Sequence, residues 1–190
     1  MRSIKSQIKK ARLARGEVLM VAQSANAMMP VEGTASEEAH HEAAEAAAHL
    51  SEAARLIGTG DPALAGFFAG FTRYASPEDL IHYTGAELAS LVKLVFAHSA
   101  MRKAGTALVE IFDPTRENPA FARGETIVLA VNDDIPFLYD SSIAEMRAQG
   151  ARIVAAFHPV IPECRDAAGA RGRDRNQRTL GSPGDPAHGR

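Results

Sequence analysis

Hydrophobic spacing along the chain changes period near Gly105. Before it, apolar residues recur at helical intervals; after it, they come in short unbroken runs. Asp61-Pro62 predicts a helix start, with Leu64, Phe67, Phe68 and Phe71 at i, i+3, i+4 and i+7 as its apolar face. That face is expected to be core. Ser76-Pro77-Glu78-Asp79 predicts a short helix capped by its serine. Thr84-Gly85-Ala86-Glu87 has the form of a capping box, and its helix is expected to run to about Lys103 with Leu88, Leu91, Val92, Val95 and Phe96 as its stripe. Upstream, Ser36 predicts the N-cap of an alanine-rich helix that ends at Ile57, before Gly58-Thr59-Gly60. Few large apolar residues lie on that helix, so it is expected to be mobile or to lie loosely on a partner surface. Residues 3–28 also read as helix, with Ile4, Ile8 and Ala11 on one face and Gly16 weakening the middle.

Past Gly105, residues 106–112 predict a strand with Val109 and Ile111 on one side and Leu108 and Phe112 on the other. Residues 113–124 hold prolines, an asparagine and charges, and predict an exposed loop. Thr126–Val131 is apolar without alternation, which predicts a strand buried on both faces. Asn132-Asp133-Asp134 turns the chain. A helix is expected with Pro136 in its first turn, a stripe of Ile135, Tyr139, Ile143 and Met146, and Gly150 ending it in the left-handed conformation. Arg152–Phe157 is the next expected strand. From Arg165 onward the one large aliphatic residue is Leu180, and six arginines face three aspartates. Such a segment predicts a disordered, solvated tail.

Net charge of −2 gives no electrostatic reason to expect nucleic acid or an anionic membrane as partner. The single cysteine, Cys164, rules out a disulfide framework and fits a reducing, cytoplasmic setting. No apolar run approaches the roughly 20 residues of a membrane span. Arg2, Lys5, Lys9, Lys10, Arg12 and Arg15 precede the first acid, but the apolar run 18–22 is too short for a secretion signal; an exposed basic helical end is expected. His41, Glu45 and His49 share a helix face, yet without a His-Glu-x-x-His order they predict a solvated face rather than a metal site. His98, near a helix end, is expected to be structural. Asp133 and Asp134 flank a helix start. They either cap the helix and bond the turn, the favoured role, or hold the ammonium group of an amino acid.

The run Asn132-Asp133-Asp134-Ile135-Pro136-Phe137-Leu138-Tyr139-Asp140-Ser141, followed by His158-Pro159-Val160, resembles the amino-terminal region of the large bacterial NAD-specific glutamate dehydrogenases. The resemblance extends over roughly residues 64–166. It implies an ACT-like regulatory region, not a catalytic one. The implied fold is α+β: a helical region over 1–104, an incomplete ACT-like (ferredoxin-like) β-α-β unit over 105–164 and a disordered tail over 165–190. The parent reaction would convert L-glutamate and NAD to 2-oxoglutarate, ammonium and NADH.

No G-x-G-x-x-G follows a strand here, so NAD is expected in the parent enzyme and no cofactor in this chain; no catalytic residue carries over. The contact residues implied, for an amino-acid effector or another subunit, are Asn132, Asp133, Asp134, Pro136, Asp140 and His158. Phe137 stands where ACT turns of the form Asp-x-Pro-Gly-Leu carry glycine. A side chain there denies a ligand close backbone approach, which favours packing or subunit contact. The chain is expected to lack two strands and a helix of the full fold, as a truncated or frameshifted product would, and so to expose sheet edges that pair with another copy or with the rest of a dehydrogenase.

Overall fold

A computed structural model describes residues 17–23, 37–119, 121, 123–133 and 136–172. The sheet is built around β3, Thr126–Val131, whose side chains are buried from Ile127 onward. β2 (Leu108–Phe112) lies antiparallel to it, β1 (Glu17–Gln23) lies on its other side, and β4 (Arg152–Phe157) forms the far edge, giving the order β2-β3-β1-β4. β1 runs parallel to both β3 and β4. The pattern is a split β-α-β unit with a third strand seated between its two strands.

That central strand corrects the helical expectation for residues 3–28, of which 1–16 and 24–28 lie outside the described residues. Val18-Leu19-Met20-Val21-Ala22 is an unbroken apolar run, the signature of a doubly covered parallel strand. Helix propensity in the flanking residues was a weaker signal than that run. The sheet is therefore less incomplete than expected: strands from upstream fill the positions on both sides of β3.

Four helices cover one face: α1 (Glu37–Ile57), α2 (Pro62–Thr72), α3 (Pro77–Ile81) and α4 (Gly85–His98). Their caps are those the sequence predicts. Asp61 accepts from the N–H groups of Ala63 and Leu64, Ser76 from that of Asp79, and Thr84 and Glu87 form the reciprocal box. Each is worth about 1 kcal/mol. Phe67, Phe71, Tyr83, Leu88, Leu91 and Val92 pack with Ile127, Leu129, Val131 and Phe157 in one cluster, so helices and sheet share a core. α1 is not loose. Its small residues bring it against α4, with Ala46 and Ala53 buried. The approach is so close that a Cβ on Gly85 would lie 2.5 Å from Glu52 Cβ and 2.8 Å from the His49 carbonyl oxygen.

One helix, α5 (Leu138–Ala148), covers the other face. Val128, Ala130, Met146 and Ala151 are its buried core, with Val109, Ile111, Tyr139, Ile143 and Ile153 against them. β2 divides its side chains between the two faces as its alternation predicts. A bulge at Val154 shifts the β1–β4 register, and so Ala155 and Phe157 face the helices while Ala156 faces α5.

α4 stops at His98 rather than near Lys103. The Ser99 hydroxyl donates back to the Val95 carbonyl, and arginines from beyond β4 take the last carbonyls. Arg165 donates to the Ser99 and Ala100 oxygens, and Arg171 to the Phe96 oxygen and the Ser99 hydroxyl. Glu163 binds both guanidiniums, and Arg171 lies 4.2 Å over the Phe96 ring. Residues 165–172 thus correct the expectation of a disordered tail from Arg165. The arginines replace aliphatic packing with charge-assisted bonds and ring contacts. Residues 173–190 lie outside the described residues.

Candidate functional site

Three parallel strands bring their carboxyl ends to one edge of the sheet. Gln23 pairs with Val131 and Val21 with Phe157, so Asn132 and His158 leave the sheet on the same side, where α5 begins. This is the edge at which open sheets with parallel strands bind ligands. Topology therefore gathers Asn132, Asp133, Pro136, Asp140 and His158; Asp134 lies outside the described residues.

Their roles differ from those expected. Asp133 does not cap α5. It accepts from Arg102 Nη2 at 2.7 Å, and the hydrogen bond and charge of Arg102 hold its carboxyl below the usual range. Arg102 also donates Nη1–H to the Thr106 carbonyl, pinning the β3 turn to the segment that leads into β2. Pro136 sits in the turn before α5, not in its first helical turn. The N-cap is Phe137, with φ 63° and no side-chain capping bond. The backbone keeps the left-handed turn that glycine favours, although the residue is phenylalanine. Its ring is 79% exposed and packs into neither core. The His158 ring stacks on Tyr139 at 4.9 Å, joining the end of β4 to the first turn of α5. Two buried polar atoms close to the turn have no hydrogen-bond partner among the described residues: Asn132 Oδ1 and Arg102 Nε.

Beside this edge a groove of about 490 Å³ runs between α5 and β4. Ile143, Ala144 and residues 153–156 of β4 line it together with the charged Asp79, Asp140 and Arg147. Burial, then the charges of Asp79 and Asp140, push the Tyr139 hydroxyl up from its ordinary value. Asp79 Oδ1 accepts the outward N–H of Ala156 at 3.0 Å. The edge of β4 is thereby closed at that point against another strand, counter to the expectation of open edges. Asp79 is already occupied, so the groove offers recognition by charge and apolar contact rather than a nucleophile paired with a base.

Sequence reasoning missed two polar clusters, one buried and one partly buried. Glu125, almost wholly buried, accepts from the Tyr83 hydroxyl at 2.8 Å and lies 2.8 Å from His82 Nε2, while Arg123 bridges to Glu87. Burial, then Glu125, drive the Tyr83 hydroxyl well above its ordinary range. With Phe121 stacked on Tyr83, this cluster anchors the loop before β3. The other is Glu163 with Arg165 and Arg171. In the first, Tyr83 and Glu125 lie 42 residues apart; in the second, the arginines' distant partners are the carbonyls at the end of α4, more than 60 residues upstream. His98 is structural as expected, its two ring nitrogens bonded to Glu110 and Glu117. No group of three or more potential ligands able to hold a metal occurs among the described residues, and no described helix is long and apolar enough to cross a membrane.

Compared with known proteins, the chain matches the family described as glutamate dehydrogenase, ACT1 domain, over residues 67–182, more than half its length. The match runs from Phe67 within α2 through α5 and takes in the sheet strands after Gly105 and the arginine-rich segment. The family pattern thus continues past Cys164, contrary to a frame change there. No curated protein and no solved structure matches.

Proposed function

This chain belongs to the glutamate dehydrogenase ACT1-domain family, and from that premise we propose that it is the regulatory domain of an NAD-dependent enzyme. That enzyme oxidises L-glutamate with NAD and water to 2-oxoglutarate, ammonium and NADH in the reducing cytoplasm. This domain contributes no catalytic group and binds no NAD; its role is in assembly and control. The observation that carries the reading is the family match itself, which spans the turn at Asn132, the groove and the arginine clamp. The test is to delete the domain from the parent dehydrogenase and add this chain back in trans. Deletion is expected to leave glutamate oxidation measurable but to change subunit assembly or effector response, and added chain to restore it. The isolated chain is expected to form no NADH from glutamate and NAD. Unchanged kinetics and assembly after deletion would sink the reading.

One observation favours a second reading, an amino-acid-binding module. Asn132 Oδ1 is a buried acceptor with no hydrogen-bond partner among the described residues, suited to an ammonium group. Calorimetric titration with the common amino acids tests it. Heat with one of them that disappears in Asn132→Ala supports it, and no heat with any removes it.

A further inference from the structure

After Cys164 the chain folds back on itself. The Gly172 N–H donates to the Cys164 carbonyl at 2.7 Å and the Asp166 N–H to the Ala170 carbonyl at 3.0 Å, so residues 164–172 form a small hairpin. One limb of it lies along the chain that leaves α4. The Arg102 N–H donates to the Gly169 carbonyl at 2.8 Å and the Arg171 N–H to the Ala100 carbonyl at 2.9 Å, with an antiparallel bridge between Met101 and Ala170. The contact at Gly169 is backbone on backbone. Its φ is 91°, and a Cβ there would lie 2.6 Å from the Arg102 carbonyl oxygen. The residue docked in this way is the one whose guanidinium reaches the candidate site. Arg102 holds the Asp133 carboxylate and the Thr106 carbonyl. The Asp133 carboxylate also accepts from the Gly105 N–H. We propose that hairpin 164–172 is a latch whose docking on residues 99–102 sets the Asn132–Asp133 turn through Arg102.

Two properties suit the hairpin to that role. First, it can open alone. No residue from Arg165 to Gly172 has a large apolar side chain. The arginines hold on by charge-assisted bonds to Glu163, to Ser99 and to the last carbonyls of α4. A segment with so little apolar burial opens at a lower free energy than β3, which is buried from Ile127 onward. Second, its opening reaches the turn. With the hairpin away, the Arg102 backbone loses the partner of its N–H and the wall at Gly169 that fixes its path. Its long side chain, 10% exposed when docked, regains rotamers that the bonds to Asp133 and Thr106 must then restrict again. The turn is therefore held less firmly when the latch is open. By linkage, whatever engages the turn at Asn132 and Asp133 biases the latch by the same factor. Both sites thus act on one two-state element, the docked or open hairpin.

Amide hydrogen exchange and NMR titration of the full chain test this. In the wild type the amides of Arg102, Arg171 and Gly172 are expected to exchange by local opening, well before that of Leu129 in β3. Gly169→Ala sets a methyl group against the Arg102 backbone and forces the hairpin off. It is expected to speed exchange at Arg171 and at Gly105 together, about fivefold or more, with Leu129 unchanged. The Asp133 carboxyl, held low by Arg102, is expected to titrate closer to the ordinary aspartate value in the same variant. Arg171→Gln weakens the latch without a backbone clash. It is expected to act in the same direction, and it carries the test if Gly169→Ala does not fold. Asp133→Asn releases the other end and is expected to speed exchange at Arg171 in return. Hairpin amides that open in the variants while Gly105 exchange and the Asp133 titration stay as in the wild type would overturn the proposal. So would hairpin amides that exchange in the wild type only with global unfolding, or two hairpin variants that both fail to fold, because the hairpin would then be no separable element. The regulatory reading survives any of those results, because it rests on the family match and not on this latch.

Discussion

On the face of the sheet that carries α1 to α4, the rings of Phe67, Phe71, Tyr83, Phe121 and Phe157 are all buried. On the face that carries α5, the buried residues are Val128, Ala130, Met146 and Ala151. Among the described residues the first face is closed by four helices, the Glu125 cluster and the Glu163–Arg165–Arg171 cluster. The second is closed, among the described residues, by a single short helix, whose flank is an open groove lined in part by charged side chains. The comparison teaches where stability and recognition are separated in this chain. Aromatic rings bury far more area than alanine and valine, so the helical face supplies most of the folding energy. The α5 face is left free to meet something else.

The largest expected effect sharpens that contrast. Phe157→Ala opens a cavity between Phe71, 4.9 Å away by ring centroid, and Tyr83. It is expected to cost about 3–5 kcal/mol in urea unfolding. Met146→Ala, in the core beneath α5, is expected to cost less, about 2–3 kcal/mol, because its smaller neighbours can close in. Equal losses would mean that the two faces contribute alike.

Next comes the seam within the helical layer. Gly85→Ala drives a methyl group into Glu52 and the His49 carbonyl. Because one of those atoms is backbone, α1 must shift, and the expected loss is about 1–3 kcal/mol. A change within about 0.3 kcal/mol by the same measurement would show that α1 sits on the bundle without fitting it, as its alanine-rich sequence first suggested.

Much of this fold was legible. The N-caps at Asp61, Ser76 and Thr84 are local chemistry written in adjacent residues, and the buried run of β3 is a pattern within one strand. What was not legible depends on distant partners. β1 was misread because its place between β3 and β4 is decided by strands more than a hundred residues downstream. The segment after Cys164 was misread because composition cannot show that Arg165 and Arg171 meet Glu163 and the end of α4. At the candidate site the turn residues were found by motif. Asp133 was nevertheless assigned to the helix cap, and its partner Arg102 lies 31 residues upstream.

A smaller effect, of opposite sign, belongs to the α5 face. Phe137→Gly removes a side chain from a left-handed position where its ring is largely exposed and joins neither described core. It is expected to raise monomer stability by about 1 kcal/mol, since the relief of backbone strain exceeds the extra entropy of glycine in the unfolded chain. If stability falls instead, Phe137 contacts its own chain and the open character of this face is overstated.

The smallest effect is a pH dependence on the helical side. His98 stacks on Phe112 with ring centroids 3.9 Å apart and bonds Glu110 and Glu117 through its two nitrogens. Burial disfavours the charged ring. The hydrogen bonds and charges of the two carboxylates outweigh that, and the folded-state pKa lies above the ordinary imidazole value of about 6.5. A group whose pKa rises on folding binds its proton more tightly in the native state. Its contribution is therefore fully present below the unfolded value and is lost as pH rises through the folded one. Only the doubly protonated ring can donate to both carboxylates at once. Once it is neutral, either Glu110 on β2 or Glu117 in the loop after it loses its donor. Urea midpoints measured upward from pH 6 should decline across that window in the wild type, and His98→Gln should flatten the decline. The residues are partly exposed, and salt should shrink the effect. A decline that persists unchanged in His98→Gln would assign the pH dependence to another group, and this contact would then hold the loop equally well in either protonation state.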